Sequence, residues 1–407
     1  MRRKSKIEDR GREWDVIDVA SKHLNTMGVS VEWFGEIAAE LGVSRPALYN
    51  YVTDRDDLLF KCYLKSCETL EAALRKASVT AGNPVEVLDG FLSTTCAPDA
   101  PETAVLSEVD VLPPDKQAII RSRRDALVAQ LASMVDQGIA DRLFRPADSV
   151  TVAHAVVGMA GWIQLSRRWA RDADLAQGAV GMKEILFKGL AADRRIPHGK
   201  PTGFARPSPT KVDLFDRRAL DEAKREAILA AASALFNRRG IGATRVEDVG
   251  AAVGLSKRAI YHHIGQKDAL VDACVERAYQ FYFEVMDAVE RLPGSRLEAV
   301  FVAVKAVIKA ASDPEFSALV PYVGFGLLSP SGQQTANAYG RRLFEGYRRI
   351  LIAGIREGSI RALPVEETVA SLPGVFSWAS NWLPRSGEDH SRIADELATL
   401  TTRGILA

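Results

Sequence analysis

The feature that most constrains this chain is an internal repeat. Residues 15–58 align without a gap on residues 227–270, so that each position pairs with the one 212 residues later. The identical pairs are Ala20/Ala232, Ser21/Ser233, Asn25/Asn237, Gly28/Gly240, Ala39/Ala251, Gly42/Gly254, Ser44/Ser256, Ala47/Ala259, Tyr49/Tyr261, Asp56/Asp268 and Leu58/Leu270. A register kept over this length indicates a duplication, so we expect both copies to adopt the same local fold.

A weaker similarity extends the repeat towards the end of each half. Residues 157–162 resemble residues 373–378, and each segment is followed by a helical pattern that ends near residue 190 or 405. Between the halves, residues 196–209 are rich in proline and glycine, which is typical of a linker. The repeat therefore covers whole units, the first unit at residues 1–193 and the second unit at residues 213–407.

Apolar periodicity is helical in both units. Leu70, Leu74 and Ala77 recur at helical spacing in the first unit, and Val300 and Val304 do so in the second. Alternating strand patterns are not evident. The sequence therefore predicts an all-α fold.

The second unit contains a clear succession of three helices. The first is predicted at residues 219–239 and ends at Gly240. Thr244 is expected to cap a short second helix, with Glu247 completing a capping box. Gly254 allows a tight turn because it lacks a Cβ atom, and Ser256 is expected to cap the third helix.

The spacing within these helices is that of a helix-turn-helix (HTH) motif. Gly250 is small where two helices cross, Gly254 forms the turn, and Ile260 is apolar where the recognition helix rests on the core. This arrangement leaves residues 257–259, 261 and 262 available to a DNA major groove. The motif therefore predicts DNA binding.

These motifs resemble the N-terminal domain of tetracycline-repressor-type (TetR) regulators. The second unit carries the resemblance at residues 228–232, 235–236, 240, 244–249, 254–256, 260–263 and 267–270. The first unit carries it at residues 42–44, 47–49, 55 and 58–59. Residues 157–162 and 373–378 resemble that family's penultimate, dimer-forming helix, so the resemblance covers nearly the whole chain, twice.

The resemblance implies two TetR-like units, each with an N-terminal three-helix HTH domain and a C-terminal helical domain for effector binding and dimerisation. The expected segments are the first HTH domain (1–60), the first regulatory domain (61–193), a linker (194–212), the second HTH domain (213–272) and the second regulatory domain (273–407).

The resemblance also implies double-stranded DNA as a partner and assigns contacts around each recognition helix. In the second HTH domain these are Thr244, Arg245, Ser256, Lys257, Arg258, Ala259, Tyr261, His262, His263 and Lys267. In the first they are Ser44, Arg45, Pro46, Ala47, Tyr49, Asn50, Tyr51 and Arg55. Arginine and lysine pair with guanine edges or phosphates, asparagine suits adenine, and tyrosine hydroxyls suit phosphate oxygens.

The two HTH domains differ at several of these positions. Glu32 and Trp33 stand where the second domain has Thr244 and Arg245, and Asp54 adds a further negative charge. Carboxylates near phosphates weaken DNA binding. We therefore expect the first HTH domain to bind DNA more weakly or to be purely structural. A basic arm could compensate in part, and it consists of Arg2, Arg3, Lys4 and Lys6.

Candidates for an effector pocket are aromatic and polar side chains of the regulatory domains. They are His154, Trp162, Tyr322, Phe325, Tyr347 and Trp378. The same residues have a structural interpretation, namely aromatic packing and a core histidine. Both interpretations also apply to the pairs Trp162/Trp169 and Trp378/Trp382.

Composition argues against several other classes of protein. The formal net charge is +1, so DNA affinity must come from local basic patches. The four cysteines form no Cys-x-x-Cys pair, which favours reduced thiols in a cytoplasmic protein without a metal site. The N-terminus lacks the apolar run of a signal peptide, and residues 151–165 are too few to span a membrane. Catalytic motifs are not evident, so neither an enzyme nor a cofactor is predicted.

One chain thus contains both halves of what the family forms as a homodimer. We predict an intramolecular pseudo-dimer of a monomeric chain, with the helix around residues 150–169 and the last helix of the first unit packed on their counterparts. Such a regulator would act as a repressor on an asymmetric operator and be released by a small apolar effector. The alternative is a helical module that binds small molecules or proteins and whose degenerate HTH domains bind no specific DNA.

Overall fold

The computed structural model describes residues 6–28, 33–97, 100–166, 178–195, 216–313, 316–320, 325–377, 379–383 and 389–407. This part of the chain is largely helical and has two isolated β-bridges but no strand, so the all-α prediction is confirmed. No helix within it has both the length and the apolar character that a membrane crossing requires. The predicted linker from residue 196 onward, Glu32 and residues 2–4 of the basic arm lie outside the described residues.

The helices follow the same order in both units. Those of the first unit are α1 (Lys6–Met27), α2 (Trp33–Glu40), α3 (Arg45–Leu48), α4 (Arg55–Thr80), α5 (Pro84–Thr95), α6 (Pro114–Ala140), α7 (Ser149–Ser166) and α8 (Gly178–Lys183). A 3-10 turn (Val109–Val111) precedes α6, and a π-helical turn (Glu184–Lys188) continues α8.

The second unit repeats this order from Arg217 onward. Its helices are α9 (Arg217–Arg239), α10 (Val246–Val253), α11 (Lys257–His263), α12 (Lys267–Glu290), α13 (Arg296–Ser312), α14 (Pro330–Glu357), α15 (Val365–Phe376), α16 (Ala379–Trp382) and α17 (Asp389–Arg403). A 3-10 turn (Phe325–Leu327) precedes α14, just as the 3-10 turn Val109–Val111 precedes α6 in the first unit.

The two HTH domains are joined to the rest of the molecule differently. Buried side chains of the first form a core of their own with Val109 and Ile120 from the segment before α6 and from α6 itself. The buried side chains of the second HTH domain, including Ile228 and Ile260, belong instead to the large core that the regulatory domains form. In both units one long helix, α4 or α12, runs from the HTH domain into the regulatory domain.

The regulatory domains of the two units pack directly against each other. α7 and α8 of the first unit lie against α15 and α17 of the second. The approach is close, because a Cβ atom on Gly181 would lie 2.1 Å from the carbonyl oxygen of Glu367. Similarly, a Cβ atom on Gly374 would lie 3.1 Å from Cβ of Trp162. Small residues on the two sides thus allow the helices of the two units to touch.

Polar contacts across this interface occur in reciprocal pairs. Arg145 donates from Nε to the carbonyl oxygen of Gly404 at 2.7 Å, and Arg361 donates from Nε to that of Gly189 at 2.8 Å. Arg145 also lies 2.7 Å from a carboxylate oxygen of Glu396, as Arg361 lies 2.6 Å from one of Glu184. The two isolated β-bridges are also a reciprocal pair, since one joins Phe144 to Leu406 and the other joins Ala191 to Ile360. Corresponding residues of the two units therefore make corresponding contacts.

We expect Gly181→Ala to destabilise the interface between the units. Its new methyl group would collide with backbone rather than a flexible side chain, and overpacking of this kind costs about 1–3 kcal/mol. The measurement is the midpoint of urea unfolding at unchanged m-value. Gly35→Ala is the matched control, because Gly35 is exposed on α2 and nothing lies within 4 Å of its Cβ position. The control should be neutral or slightly stabilising, and equal midpoints for the two variants would contradict the expectation.

Candidate nucleic-acid interface and effector cavity

The middle helix of the second HTH domain begins one residue later than the sequence predicts. We expected Thr244 to be the N-cap and Glu247 to complete a capping box. Instead Arg245 is the N-cap, and a carboxylate oxygen of Asp248 accepts its backbone N–H at 3.1 Å. Thr244 is buried, and its hydroxyl donates to the carbonyl oxygen of Gly240 at 2.7 Å. The assignment of Thr244 as a DNA contact is therefore corrected, because its hydroxyl faces the protein.

The turn between α10 and α11 has the geometry that the HTH spacing predicts. Gly254 ends α10 in the left-handed region, with φ of 70°. A Cβ atom on Gly250 would lie 2.5 Å from the carbonyl oxygen of Leu255, so this crossing requires glycine. Ser256 accepts a backbone N–H of the first turn of α11 at 3.2 Å, and Ile260 is fully buried. These contacts fix the recognition helix on the body of the domain.

The outer face of α11 is polar, basic and aromatic. Its exposed residues are Lys257, Arg258, Tyr261 and His262, next to exposed Ser256, while Ala259 and His263 are half-buried. Lys257 Nζ lies 2.7 Å from a carboxylate oxygen of Glu247 and 5.5 Å from the centre of the Tyr261 ring. Any DNA contact by Lys257 would therefore compete with Glu247.

Two other predicted contacts flank α11 and differ in accessibility. Arg245 is exposed at the start of α10. Lys267 is half-buried, and its Nζ donates to the carbonyl oxygen of Gly242 at 3.1 Å. Burial lowers the pKa of Lys267. The side chain of Lys267 is thus directed towards the loop before α10.

The sequence analysis missed a group of arginines beside the recognition helix. Arg217, Arg218 and Arg225 of α9 line an open depression together with Asp221, Glu222 and His263. Arg225 Nη1 lies 3.4 Å from the carbonyl oxygen of His263. The repeat itself contains a signal for this group, because the position that corresponds to Arg225 in the first unit is Glu13. Glu13 forms an ion pair with Lys61 at 2.8 Å.

The recognition helix of the first HTH domain is shorter. α3 extends only from Arg45 to Leu48, and Ser44 makes no side-chain cap. Tyr49 stacks on Phe34 with ring centres 5.2 Å apart and remains 52% exposed. The other exposed candidates are Ser44, Arg45, Pro46 and Asn50, and the half-buried ones are Ala47, Tyr51 and Arg55. Among the described candidates, the exposed cation of this domain is Arg45, whereas α11 of the second domain exposes both Lys257 and Arg258.

Acidic residues and a buried tryptophan distinguish the first HTH domain further. Trp33 is fully buried and donates from Nε1 to the carbonyl oxygen of Gly28 at 2.9 Å, so it stabilises the domain internally. Asp54 caps α4 by accepting the backbone N–H of Asp57 at 2.7 Å. Arg55, one of the predicted contacts, lies 3.3 Å from a carboxylate oxygen of Asp56. Local pairing thus reduces the positive charge that this domain offers.

A cavity of about 80 Å³ lies in the regulatory domain of the first unit. It is smaller than pockets for drug-sized ligands, which measure about 300–1,000 Å³. Its wall consists of Ser66, Leu70, residues 103–106, Arg124, His154, Val157, Gly158, Ala160 and Gly161, with Trp382 from the second unit. The imidazole of His154 stacks on the Trp382 indole, with ring centres 4.2 Å apart and planes within 1°.

Only part of the predicted effector set lines this cavity. His154 does, whereas Trp162 is buried at the unit interface and donates to the carbonyl oxygen of Ala370 at 2.7 Å. Phe325 and Tyr347 are buried in the second unit and do not line this cavity. Tyr322 and Trp378 lie outside the described residues. Across the described ranges, groups of three or more His, Cys, Asp or Glu side chains placed to hold a metal ion are not found.

Two family models match parts of the chain. Residues 228–274 match bacterial regulatory proteins of the tetR family, and residues 85–172 match the tetracyclin repressor-like C-terminal domain. The first match contains α10 and the recognition helix α11. The second contains α5 to α7 and therefore much of the cavity wall.

Three of the proteins that this chain resembles are named as transcriptional regulators. The HTH-type transcriptional repressor KstR2 of Rhodococcus jostii (strain RHA1) is 29% identical over 150 residues, 34% of this chain and 69% of that protein. The HTH-type transcriptional regulator AcrR of Shigella flexneri is 34% identical over 93 residues, 23% of this chain and 43% of that protein. The TetR family transcriptional regulator PfmR from Thermus thermophilus is 26% identical with a TM-score of 0.39, covering 44% of this chain and 97% of that one.

The half-buried side chain of His154 makes the free energy of unfolding depend on pH in a defined window. Burial, followed by the charge of Arg124, lowers the pKa of His154 from 6.5 to about 4. Protonation therefore favours the unfolded chain, and the stability that neutral His154 provides is complete above pH 6.5 and lost as the pH falls towards 4. We expect His154→Gln to lose about 3 kcal/mol less free energy of unfolding than the wild type over this window. Denaturant titrations of both proteins at a series of pH values would measure this difference. The same dependence of the free energy of unfolding on pH in both proteins would contradict the expectation.

Proposed function

We propose that this chain, a TetR-type transcriptional regulator, is an intramolecular pseudo-dimer that represses transcription from an asymmetric operator and is released by a small, largely apolar effector. The second HTH domain supplies most of the DNA affinity in this proposal. The first HTH domain contacts the other half-site more weakly. Both regulatory domains serve as the interface, and the cavity that contains His154 is the effector site.

The observation that carries the proposal is the reciprocity of the contacts between the units. In a twofold dimer the interface is isologous, so each contact from one subunit to the other is matched by its symmetry mate. The Arg145–Glu396 and Arg361–Glu184 ion pairs are related in this way. A twofold arrangement of two HTH domains places their recognition helices in successive major grooves on one side of the DNA.

Unequal charge at the two recognition surfaces supports an asymmetric operator. The second HTH domain exposes Arg258 on α11 and places Arg225 beside it. At the corresponding positions the first has Pro46 and Glu13, and Arg55 is paired with Asp56. Since phosphate contacts provide much of the affinity, the domain with more available cations should bind more tightly.

The composition of the cavity supports an effector that is mainly apolar with one polar end. Leu70, Val157 and Trp382 provide apolar wall, whereas Arg124 and His154 provide hydrogen-bonding groups. Because His154 has a pKa of about 4, its imidazole is neutral near pH 7 and adds no charge to the cavity wall. The present volume requires the wall to yield when a larger effector enters.

Arg258→Ala should weaken binding to an operator duplex more than Arg45→Ala does. Loss of one base contact costs about 1–3 kcal/mol, or roughly 5- to 150-fold in affinity, whereas a weakly engaged side chain costs less than about threefold. Fluorescence anisotropy with a duplex identified by genomic footprinting would measure this. Arg356→Ala is the matched control, an exposed arginine of α14 in the regulatory domain. The reverse ranking would contradict the proposed roles of the two HTH domains.

The same titration tests whether the chain binds DNA at all. Affinity for the duplex should fall steeply between about 50 and 200 mM salt, because each neutralised phosphate releases counterions. Absence of specific duplex binding at the lower salt concentration would favour the alternative, a helical ligand-binding or protein-binding module.

A single chain should suffice for one operator. Light scattering should give a mass close to 44.4 kDa for the free protein, and one chain per duplex in the complex. As a control, the molar mass should stay the same over a hundredfold dilution, because an intramolecular interface does not dissociate on dilution. An obligate dimer of chains, which would carry four HTH domains, would contradict the pseudo-dimer.

A further inference from the structure

One segment of the first unit touches the cavity and both HTH domains. Residues 103–111, called here the coupling segment, follow α5 and include the 3-10 turn Val109–Val111. Residues 103–106 form part of the cavity wall. The remainder of the segment contacts α9 of the second HTH domain and contributes Val109 to the core of the first.

The coupling segment is fixed to the first HTH domain by the side chain of Asn25. Asn25 Nδ2 donates to the carbonyl oxygen of Thr103 at 2.9 Å, and its Oδ1 accepts the backbone N–H of Val105 at 2.9 Å. Asn25 is buried near the end of α1, and Val109 belongs to the core of the same domain. Displacement of the cavity wall at residues 103–105 must therefore break these bonds or move α1.

The coupling segment also meets the second HTH domain. Gly240 ends α9 with φ of 80°, and a Cβ atom there would lie 1.9 Å from Oε1 of Glu108. Glu108 is almost fully buried, and its backbone N–H donates to the hydroxyl of Tyr63 at 3.2 Å. The end of α9 thus rests on a side chain that is two residues from the cavity wall.

The second unit repeats the asparagine contact, which provides an internal comparison. Asn237 Nδ2 donates to the carbonyl oxygen of Ala318 at 2.8 Å, and its Oδ1 accepts the backbone N–H of Val320 at 2.9 Å. The following turn reaches the first HTH domain, because a Cβ atom on Gly326 would lie 1.8 Å from Sδ of Met27. A segment bound by this asparagine, followed by a turn that reaches an HTH domain, is therefore a feature of both units.

We propose that the coupling segment transmits occupation of the first unit's cavity to both HTH domains at once, with Asn25 and Glu108 as its positioning residues. The proposal rests on the proposed function only in taking this cavity as the effector site. One ligand molecule would then change the seating of α1 through Asn25 and that of α9 through Glu108. The two recognition helices would lose their common fit to DNA in a single step.

A covalent occupant allows the test without knowledge of the effector. Val157→Cys places a thiol in the cavity wall, and N-ethylmaleimide is the probe that fills it. The four native cysteines are buried, and burial raises the pKa of Cys62, Cys67 and Cys274 to about 12, which disfavours their alkylation. Mass spectrometry of the intact protein verifies a single adduct, and alkylated wild type is the control.

Hydrogen exchange at the ends of α1 and α9 is the readout. The amides of Gly28 and Gly240 donate the last hydrogen bonds of these helices, each at 2.9 Å. We expect the adduct to increase exchange at both ends roughly three- to tenfold, the factor that corresponds to loss of about one hydrogen bond. Asn25→Ala should abolish the response near Gly28, and Glu108→Ala should abolish the response near Gly240.

Asn237→Ala is the matched control, because it removes the same contact from the second unit, which carries no label. The response near Gly28 should persist in it. An adduct that alters neither helix end, or a response near Gly28 that survives Asn25→Ala, would overturn the proposal. If Asn25→Ala does not fold, Asn25→Asp retains the acceptor for Val105 but loses the donor to Thr103, and should reduce the response near Gly28.

This readout requires no DNA. Failure of duplex binding would therefore overturn the proposed function while leaving the coupling measurable. Conversely, salt-dependent operator binding with no response to the adduct would retain the proposed function and overturn the coupling.

Discussion

The structure depends on two arginine side chains that cross between the units. Arg145 and Arg361 each bind a carboxylate and a backbone carbonyl of the other unit. The Arg145–Glu396 pair is largely buried, with 16% and 14% of the side chains exposed. Removing one partner of a buried pair costs about 3–5 kcal/mol, because the remaining charge lacks both water and counter-charge. These pairs therefore fix how α7 and α8 face α15 and α17, and with them the positions of both HTH domains.

Much of the fold follows from local rules that the sequence displays. Helical periodicity, the turn glycine Gly254 and the cap Ser256 lead directly to α10, the turn and α11. The start of α10 was wrong by one residue because Thr244 and Arg245 are both compatible with a capping pattern. Tertiary packing determines which of the two residues is the N-cap. Thr244 is buried, and its hydroxyl donates to the carbonyl oxygen of Gly240 instead of capping α10.

The candidate sites were less predictable because they combine distant parts of the chain. Trp382 completes a cavity in the other unit, and the stacking of His154 on it depends on how the units pack. Arg225 became a candidate only through its place beside His263. Trp162 illustrates the opposite case, because its indole N–H bonds Ala370 at the interface rather than facing a ligand. Sequence periodicity indicates which side chains are inside but not which neighbour each one meets.

The presence of both halves of the interface on one polypeptide has a consequence for the dose response. Association of separate subunits depends on the square of their concentration, whereas association within a chain proceeds at a fixed effective concentration, in the millimolar range for short flexible tethers. In the proposed pseudo-dimer, the contacts around Arg145 and Arg361 would therefore persist at a few molecules per cell. Occupancy of a binding partner should then rise in proportion to copy number, without the threshold that subunit assembly imposes at low expression.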